Sequence, residues 1–376
     1  MQCNSKMITN IQVLRGLAAF AVLLLHSEYK LFGIVSTQFQ GVSIFFVISG
    51  FIVAYITEAG TKGFLQRRII RILPIYWVMT IFAFFWYSLD QFSWISLWLE
   101  DWRQAFAQTV NLFSNDAGVA RVIKSLFFLP YPDPNSGAYT SFLFVGWTLN
   151  IEFLFYVLFA IFSVIGRRFA IVCVSISLII LVIINIATDA DGVFVRFYGQ
   201  EVTVYIVLGF VVYAIWKSTG KLAARIDQKY FVFLAVIVGI FLIFLNCSQL
   251  WYPGNLSQNL WLVSTYNVLP AAVVLVALYL HSVGVRCRWR PLLILGDISY
   301  VLYLSHTIVL TTLSRYSDAY PFLSYKNNAS GLMLALVLCC LFAWLVHIAL
   351  EKPLIRLGKR LYEVRRSFPP ILKSTV

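Results

Sequence analysis

Ile8-Thr9-Asn10-Ile11-Gln12-Val13-Leu14-Arg15-Gly16-Leu17-Ala18-Ala19-Phe20-Ala21-Val22-Leu23-Leu24-Leu25-His26-Ser27 is the stretch on which the reading of the fold turns. It is mostly apolar and about as long as one helical crossing of a bilayer core needs, roughly 20 residues. Arg15 stands near its start and His26 near its end. The step of eleven positions from one to the other makes about three helical turns, or about 16 Å of rise. Both side chains therefore point to one side of a single helix, at different depths. Polar groups inside a bilayer are costly and usually face a bundle interior or a wet cavity. Two of them on one face suggest a pore or an active site along this helix. The plainer alternative has Arg15 snorkelling to the cytoplasmic interface and His26 lying among the outer headgroups.

The rest of the chain shares this character. Of its 376 residues 60% are hydrophobic and only 12% charged, half the charge of an ordinary soluble domain, and mean hydropathy is +0.82. A net charge of +13 would suit a nucleic-acid binder, but Lys and Arg fall almost wholly in short connections between apolar runs, the pattern that orients membrane proteins. Nucleic acid is excluded as a partner and the lipid bilayer takes its place. The six cysteines, Cys3, Cys173, Cys247, Cys287, Cys339 and Cys340, show no metal spacing and no disulfide framework, so no metal is expected. No small-residue cleavage site follows the first apolar run, and it is expected to be retained.

Ten apolar runs read as spanning helices: about 8–27, 40–58, 73–89, 141–165, 169–187, 198–216, 230–245, 267–283, 295–314 and 330–350. With both termini in the cytoplasm, 22 of the 29 Lys and Arg fall on the inner side, an alternation that a miscounted helix would scramble. The expected fold is an all-α, polytopic membrane bundle of about ten helices, one domain over 1–376 with a cytoplasmic tail from about 352. The outer connection from about 90 to 140 is long and acidic, and its apolar piece Val122–Leu129 is too short to span. A second outer loop, about 246–266, carries Trp251, Tyr252 and Trp261, which read as interfacial aromatics or as platforms for a sugar ring.

Chemistry is concentrated in three places. The loop expected after the second helix reads Gln66-Arg67-Arg68-Ile69-Ile70-Arg71-Ile72-Leu73-Pro74-Ile75-Tyr76-Trp77. Arg68 and Arg71 are three apart and share one helical face, and the guanidinium fork suits phosphate. With Arg15 this cluster could receive a polyphosphate such as coenzyme A, or be an ordinary positive-inside clamp. The fourth run holds Gly146-Trp147-Thr148-Leu149-Asn150-Ile151-Glu152-Phe153. An acid there is a functional candidate by default: Glu152 could orient an imidazole or be a protonated structural acid. The ninth run adds Tyr300-Val301-Leu302-Tyr303-Leu304-Ser305-His306, with His306 ranked behind His26 because a lone buried His more often packs than reacts. His281 and His347, near inner helix ends, are assigned no chemistry. Ser43, Ser49 and Gly50 in the second run let helices approach closely.

These residues together resemble the acyltransferase 3 family of integral membrane O-acyltransferases, most closely the exopolysaccharide acetyltransferase type. Arg15-x10-His26 is similar to its first-helix motif, and Phe45-Phe46-Val47-Ile48-Ser49-Gly50-Phe51 to its second. Arg68-x-x-Arg71 with Pro74-x-Tyr76-Trp77 resembles the inner segment, Trp147-Thr148-Leu149-x-x-Glu152 with Phe155-Tyr156 the fourth helix, and Tyr300-x-x-Tyr303-x-x-His306 the late helix. The likeness covers nearly the whole chain. It departs at Phe153, where many members carry a second acid, and in lacking an appended esterase-like domain.

The resemblance implies a multi-pass protein of the bacterial inner membrane. It would move an acyl group, usually acetyl from cytoplasmic acetyl-CoA, onto a hydroxyl of a cell-surface sugar, with a carbohydrate or glycolipid acceptor and polysaccharide-assembly proteins as partners. On this reading His26 and Glu152 are catalytic. Arg15, Arg67, Arg68, Arg71 and Tyr76 bind acyl-CoA, with Trp147, Tyr303, Ser305 and His306 in support. Two alternatives stay open: acylation of a small cytoplasmic hydroxyl compound such as a macrolide, and export of a polysaccharide precursor or solute without chemistry.

Overall fold

The computed structural model describes residues 8–31, 34–35, 41–90, 116–132, 139–188, 192–223, 229–230, 232–233, 237, 260–326 and 328–367. It is all-α. The helices are α1 (Thr9–Ser27), α2 (Gly41–Ile56), α3 (Phe64–Asp90), α4 (Asp116–Leu126), α5 (Gly146–Phe162), α6 (Arg167–Thr188), α7 (Val193–Tyr198), α8 (Val204–Ala223), α9 (Leu260–Ser282), α10 (Arg290–Tyr316), α11 (Ala329–Val346) and α12 (Lys352–Ser367). Two antiparallel ladders of two residues a side, Lys30–Leu31 with Ile34–Val35 and Tyr131–Pro132 with Tyr139–Thr140, are the extended pairs among the described residues. Seven helices are long and apolar enough to cross a membrane, and Gly146–Phe162 and Val268–Ser282 are shorter apolar helices. Nine of the ten runs read from the sequence thus fall on apolar helices, and the tenth, 230–245, lies almost wholly outside the described residues.

Two boundaries differ from expectation in ways that bear on the site. α3 starts at Phe64, not at 73, so the stretch with Arg67, Arg68 and Arg71 is its first turns and not a loop. Pro74 lies inside the helix, and α5 is shorter than 141–165. Part of the short outer piece Val122–Leu129 belongs to helix α4. The loop at 246–266 ends in helix from Leu260, and its remainder lies outside the described residues.

The chain divides into two compact units, Met1–Thr61 with Ile161–Ala343, and Lys62–Ala160 with Trp344–Val376. In the first, α1 and α10 form the most extensive helix pair. Gly16 and Gly296 make it possible: a Cβ on Gly16 would lie 2.7 Å from the Gly296 backbone nitrogen. α2 and α8 meet in the same manner, because a Cβ on Gly50 would strike the Ile206 carbonyl and one on Gly209 the Val47 carbonyl. Small residues are how membrane helices come close enough to pack.

Side-chain bonds fix the direction of each helix. Gln12 Nε2 donates to the Leu293 carbonyl at 3.2 Å and to Asp297 Oδ1 at 2.5 Å, while His26 meets His306, so α1 and α10 run parallel. Asn10 Nδ2 donates to the carbonyls of Ala277 and Val285, which sets α9 antiparallel to α1. Arg167 Nη2 donates to the Ala54 carbonyl at 2.6 Å, Lys217 pairs with Glu58, and Trp216 Nε1 donates to Ser282 Oγ at 2.9 Å. One end of this unit therefore collects the starts of α1, α6 and α10 and the ends of α2, α8 and α9. It is also the end with Arg167, Arg168, Lys217, Arg286, Arg288 and Arg290, as the charge alternation required.

The ends of α8 and α9 lie side by side, so these successive helices run in the same direction. The apolar run 230–245 read from the sequence lies between them in the chain. Reporter fusions just after Ala223 and just before Leu260 are expected on opposite faces of the membrane, and the same face for both would break this topology. Gly50→Ala is expected to cost about 1–3 kcal/mol by overpacking, read as earlier thermal unfolding in detergent.

Candidate active site

The parallel course of α1 and α10 carries two imidazoles to the end opposite the basic residues. His26 Nδ1 lies 2.9 Å from His306 Nε2, with ring centroids 5.0 Å apart and planes only 22° apart. His306 is fully buried and His26 half-buried. His306 Nδ1 is 3.0 Å from the Leu302 carbonyl. A carbonyl oxygen only accepts, so His306 Nδ1 carries hydrogen and its Nε2 carries the lone pair. His26 Nδ1 can then donate to that lone pair, and the Val22 backbone is a further hydrogen-bond partner of the ring. Its own Nε2 becomes the basic nitrogen of the neutral ring. The relay Leu302 carbonyl, His306, His26 thus fixes the tautomer and plane of His26 by the logic through which a third group orients a catalytic base.

The shell around the pair is aromatic and small. Tyr303 lies edge-on to Phe45 at 5.5 Å and 6.0 Å from the His306 ring, which ties the second motif to the late-helix motif. Ser305 is buried, and its Oγ has no partner among the described residues. Just beyond His26 the chain turns at Glu28, a left-handed residue with φ 51°. Its carboxylate accepts a 2.7 Å bond from Lys326 Nζ and raises the Lys326 pKa chiefly through that bond. Arg15 is half-buried on the His26 side of α1, nearer the basic end.

Glu152 belongs to the second unit and is surrounded there. It accepts a hydrogen bond from Tyr156, one turn on in α5. The Arg68 guanidinium lies 5.4 Å from the Tyr156 ring centroid and 5.8 Å from that of Phe64, and its charge interacts with that of Glu152. Aromatic faces and a carboxylate together make a low-lying cation tolerable in an apolar span. Arg67 is exposed, with Nη1 donating to the Lys62 carbonyl at 2.7 Å, and Arg71 is exposed as well. Tyr76 is fully buried, and its hydroxyl donates to the Ser125 carbonyl at 3.0 Å. It packs against Gly146, where a Cβ would be 3.1 Å from its oxygen. Trp147, next to that glycine, is half-buried.

The structure thus gathers Arg15, His26, Tyr303, Ser305 and His306 in the first unit and Arg67, Arg68, Arg71, Tyr76, Trp147 and Glu152 in the second. Within its unit the imidazole of His26 gives its hydrogen bond to the ring nitrogen of His306. The sequence reading had left that orienting role to Glu152. It also missed the Gln12–Asp297 clamp, for which a Gln inside the first apolar run was the available signal. No group of His, Cys, Asp and Glu that could hold a metal ion occurs among the described residues.

Comparison with known proteins accords with this architecture. The sequence profile of the family described as "Acyltransferase domain" matches residues 8–348. The "Exopolysaccharide production protein ExoZ" of Rhizobium meliloti (strain 1021) is 31% identical over 329 residues, which cover 85% of this chain and 90% of that protein. The "Putative peptidoglycan O-acetyltransferase YrhL" of Bacillus subtilis (strain 168) is 27% identical over 381 residues, 94% of this chain but only 56% of that longer protein. No solved structure matches the chain significantly.

The tautomers are directly observable. In ¹⁵N spectra of histidine-labelled protein, assigned with single His variants, His306 and His26 are both expected as Nδ1–H forms. An Nε2–H form of His306 would reverse the relay.

Proposed function

The chain belongs to this acyltransferase family, and from that premise we propose that it transfers an acetyl group from acetyl-CoA to a hydroxyl of an exported or cell-surface polysaccharide, at the bacterial inner membrane. The observation that carries the reading is the His26–His306 pair: a half-buried imidazole held in place by a second, fully buried one.

The chemistry follows from that pair. General-base catalysis by a positioned imidazole such as His26 contributes about 10²–10⁴-fold. As the acceptor oxygen attacks the acyl carbonyl, its proton passes to His26 Nε2. The bond between the acyl group and its carrier breaks, and the proton ends on the departing carrier. His306 keeps the imidazolium aligned through the Nδ1–H bond, with the Leu302 carbonyl behind it. On the donor side the exposed Arg67 and Arg71 suit the diphosphate and 3′-phosphate of CoA. Arg68 joins them, its position supported by Tyr156 and Glu152, and Arg15 adds positive charge along α1. Tyr76 packs α3 against α5 at Gly146, and Tyr303 lies beside the imidazole pair.

The polysaccharide acceptor rests on the two relatives, one named for exopolysaccharide production and one for peptidoglycan O-acetylation. It is favoured over a small cytoplasmic hydroxyl compound because the imidazole pair sits at the end of its unit away from the basic residues. Export without chemistry leaves the paired imidazoles without a task. A deletion strain is expected to lose O-acetyl signals from its polysaccharide by NMR. His26→Ala should fail to restore them although the protein reaches the membrane, whereas normal acetyl content in that variant would refute the assignment. Arg68→Ala should raise the apparent KM for acetyl-CoA about tenfold or more with little change for the acceptor. An unchanged KM would remove Arg68 from the donor site.

A further inference from the structure

One buried imidazole has no part in this scheme. α11 does not run straight into α12: the chain widens into a π-helical turn at His347–Glu351, a feature that is rare and concentrated at functional sites. It holds His347 Nδ1 2.5 Å from Glu351 Oε2, with only 8% and 5% of the two residues exposed. The carboxylate accepts, so Nδ1 carries the hydrogen, and Nε2 is the lone-pair nitrogen of the neutral ring. That nitrogen is buried without a partner among the described residues. Leaving such an atom unmet is costly in an apolar interior, a cost that a ligand group would remove.

The surroundings name the ligand. α12 lies antiparallel along the first turns of α3: a Cβ on Gly358 would lie 2.6 Å from Ile70 Cγ2, and one on Gly63 would strike the Tyr362 hydroxyl. Glu351 precedes Gly358 by seven positions, about 10 Å of helix, which brings the π turn against α3 past Pro74, about level with Trp77. Proline has no N–H, so the Ile70 carbonyl lacks its helical donor there. Two interrupted backbones thus pack together, further along the same α3 that carries Arg68 and Arg71 in its first turns.

We propose that His347, held by Glu351, takes the acyl group from the thioester before any sugar is involved, so that the basic start of α3 and this dyad form one donor site. The proposal rests on the acyl-transfer reading above. Nε2 attacks the thioester carbonyl, the N–C bond forms, and the C–S bond breaks with its electrons on the thiolate. The Nδ1 proton moves to Glu351 and from there to the thiolate, leaving a neutral N-acyl imidazole, a carboxylate and free CoA thiol. Attack by the acceptor hydroxyl breaks the N–C bond and returns its proton to the dyad. Glu351 is a positioning residue in this step.

The test uses the full chain purified in detergent with acetyl-CoA and radiolabelled CoA, and no acceptor. An acyl-enzyme hands its acyl group back to labelled CoA, so label enters acetyl-CoA. Direct transfer gives no exchange. Wild-type protein is expected to exchange, and His347→Ala to lose about 10³-fold of that rate. Glu351→Gln is expected to lose about 100-fold and Glu351→Asp to recover most of it. Added imidazole should revive exchange in His347→Gly, which a purely structural role would not allow. His26→Ala, inactive toward polysaccharide, should still exchange, and this arm decides the matter even where the His347 variants do not fold. Exchange that survives in His347→Ala, or disappears in His26→Ala, overturns the proposal. Absence of exchange in protein that acetylates polysaccharide overturns it alone. Absence of both overturns it together with the acyl-transfer reading.

Discussion

A polar atom in a hydrocarbon layer has no water to turn to, and most of this structure follows from that shortage. Gln12, His26, Asp297 and His306 stand on α1 and α10, two helices whose glycines bring their backbones together. Each polar side chain then finds its partner on the neighbouring helix. The bonds come in two groups, Gln12 with Leu293 and Asp297 at the basic end and His26 with His306 at the other. Between them they fix register and direction. The same bonds that make the pair stable in lipid also fix the tautomer of His26, so packing and chemistry share one set of atoms.

The second unit meets the same constraint differently. Arg68 lies within an apolar helix and is met by two aromatic faces and the charge of Glu152, itself hydrogen-bonded by Tyr156. One turn of α5 thus supplies both the ring and the acid. This makes Glu152 a support for a cation as much as a group for proton transfer, and it explains why the acid tolerates a neighbour such as Phe153, whose ring stacks on Phe128 at 4.5 Å. Arg67 and Arg71, on the exposed flanks of the same helix start, keep their charge available to an anion.

Much of the fold was legible in the residues because membrane helices announce themselves by length and composition. The alternation of Lys and Arg anticipated which helix ends gather together, and Arg167, Lys217 and Arg290 lie at one end of the first unit as that rule requires. The start of α3 was misread as a loop because three arginines lower the local hydropathy, although Arg is a good helix former and nothing before Pro74 interrupts the turn. The π turn at His347–Glu351 left no such trace, and its spacing of four looks like any surface pair.

The sequence by itself determined that this is a helical membrane protein, which residues are too polar to face lipid, and that Arg15 and His26 share one side of a helix. These depend on local properties: side-chain transfer energies and the 3.6-residue period of the helix. Tertiary structure alone decided that His306 is the partner of His26, that Glu152 is the partner of Tyr156 and Arg68, and that His347 has a carboxylate and an unmet nitrogen. Hydrogen bonds are short and directional, and the 280 positions between His26 and His306 carry no local signal that the two rings will come within 3 Å. Helix packing, set by glycines far apart in the chain, supplies that information.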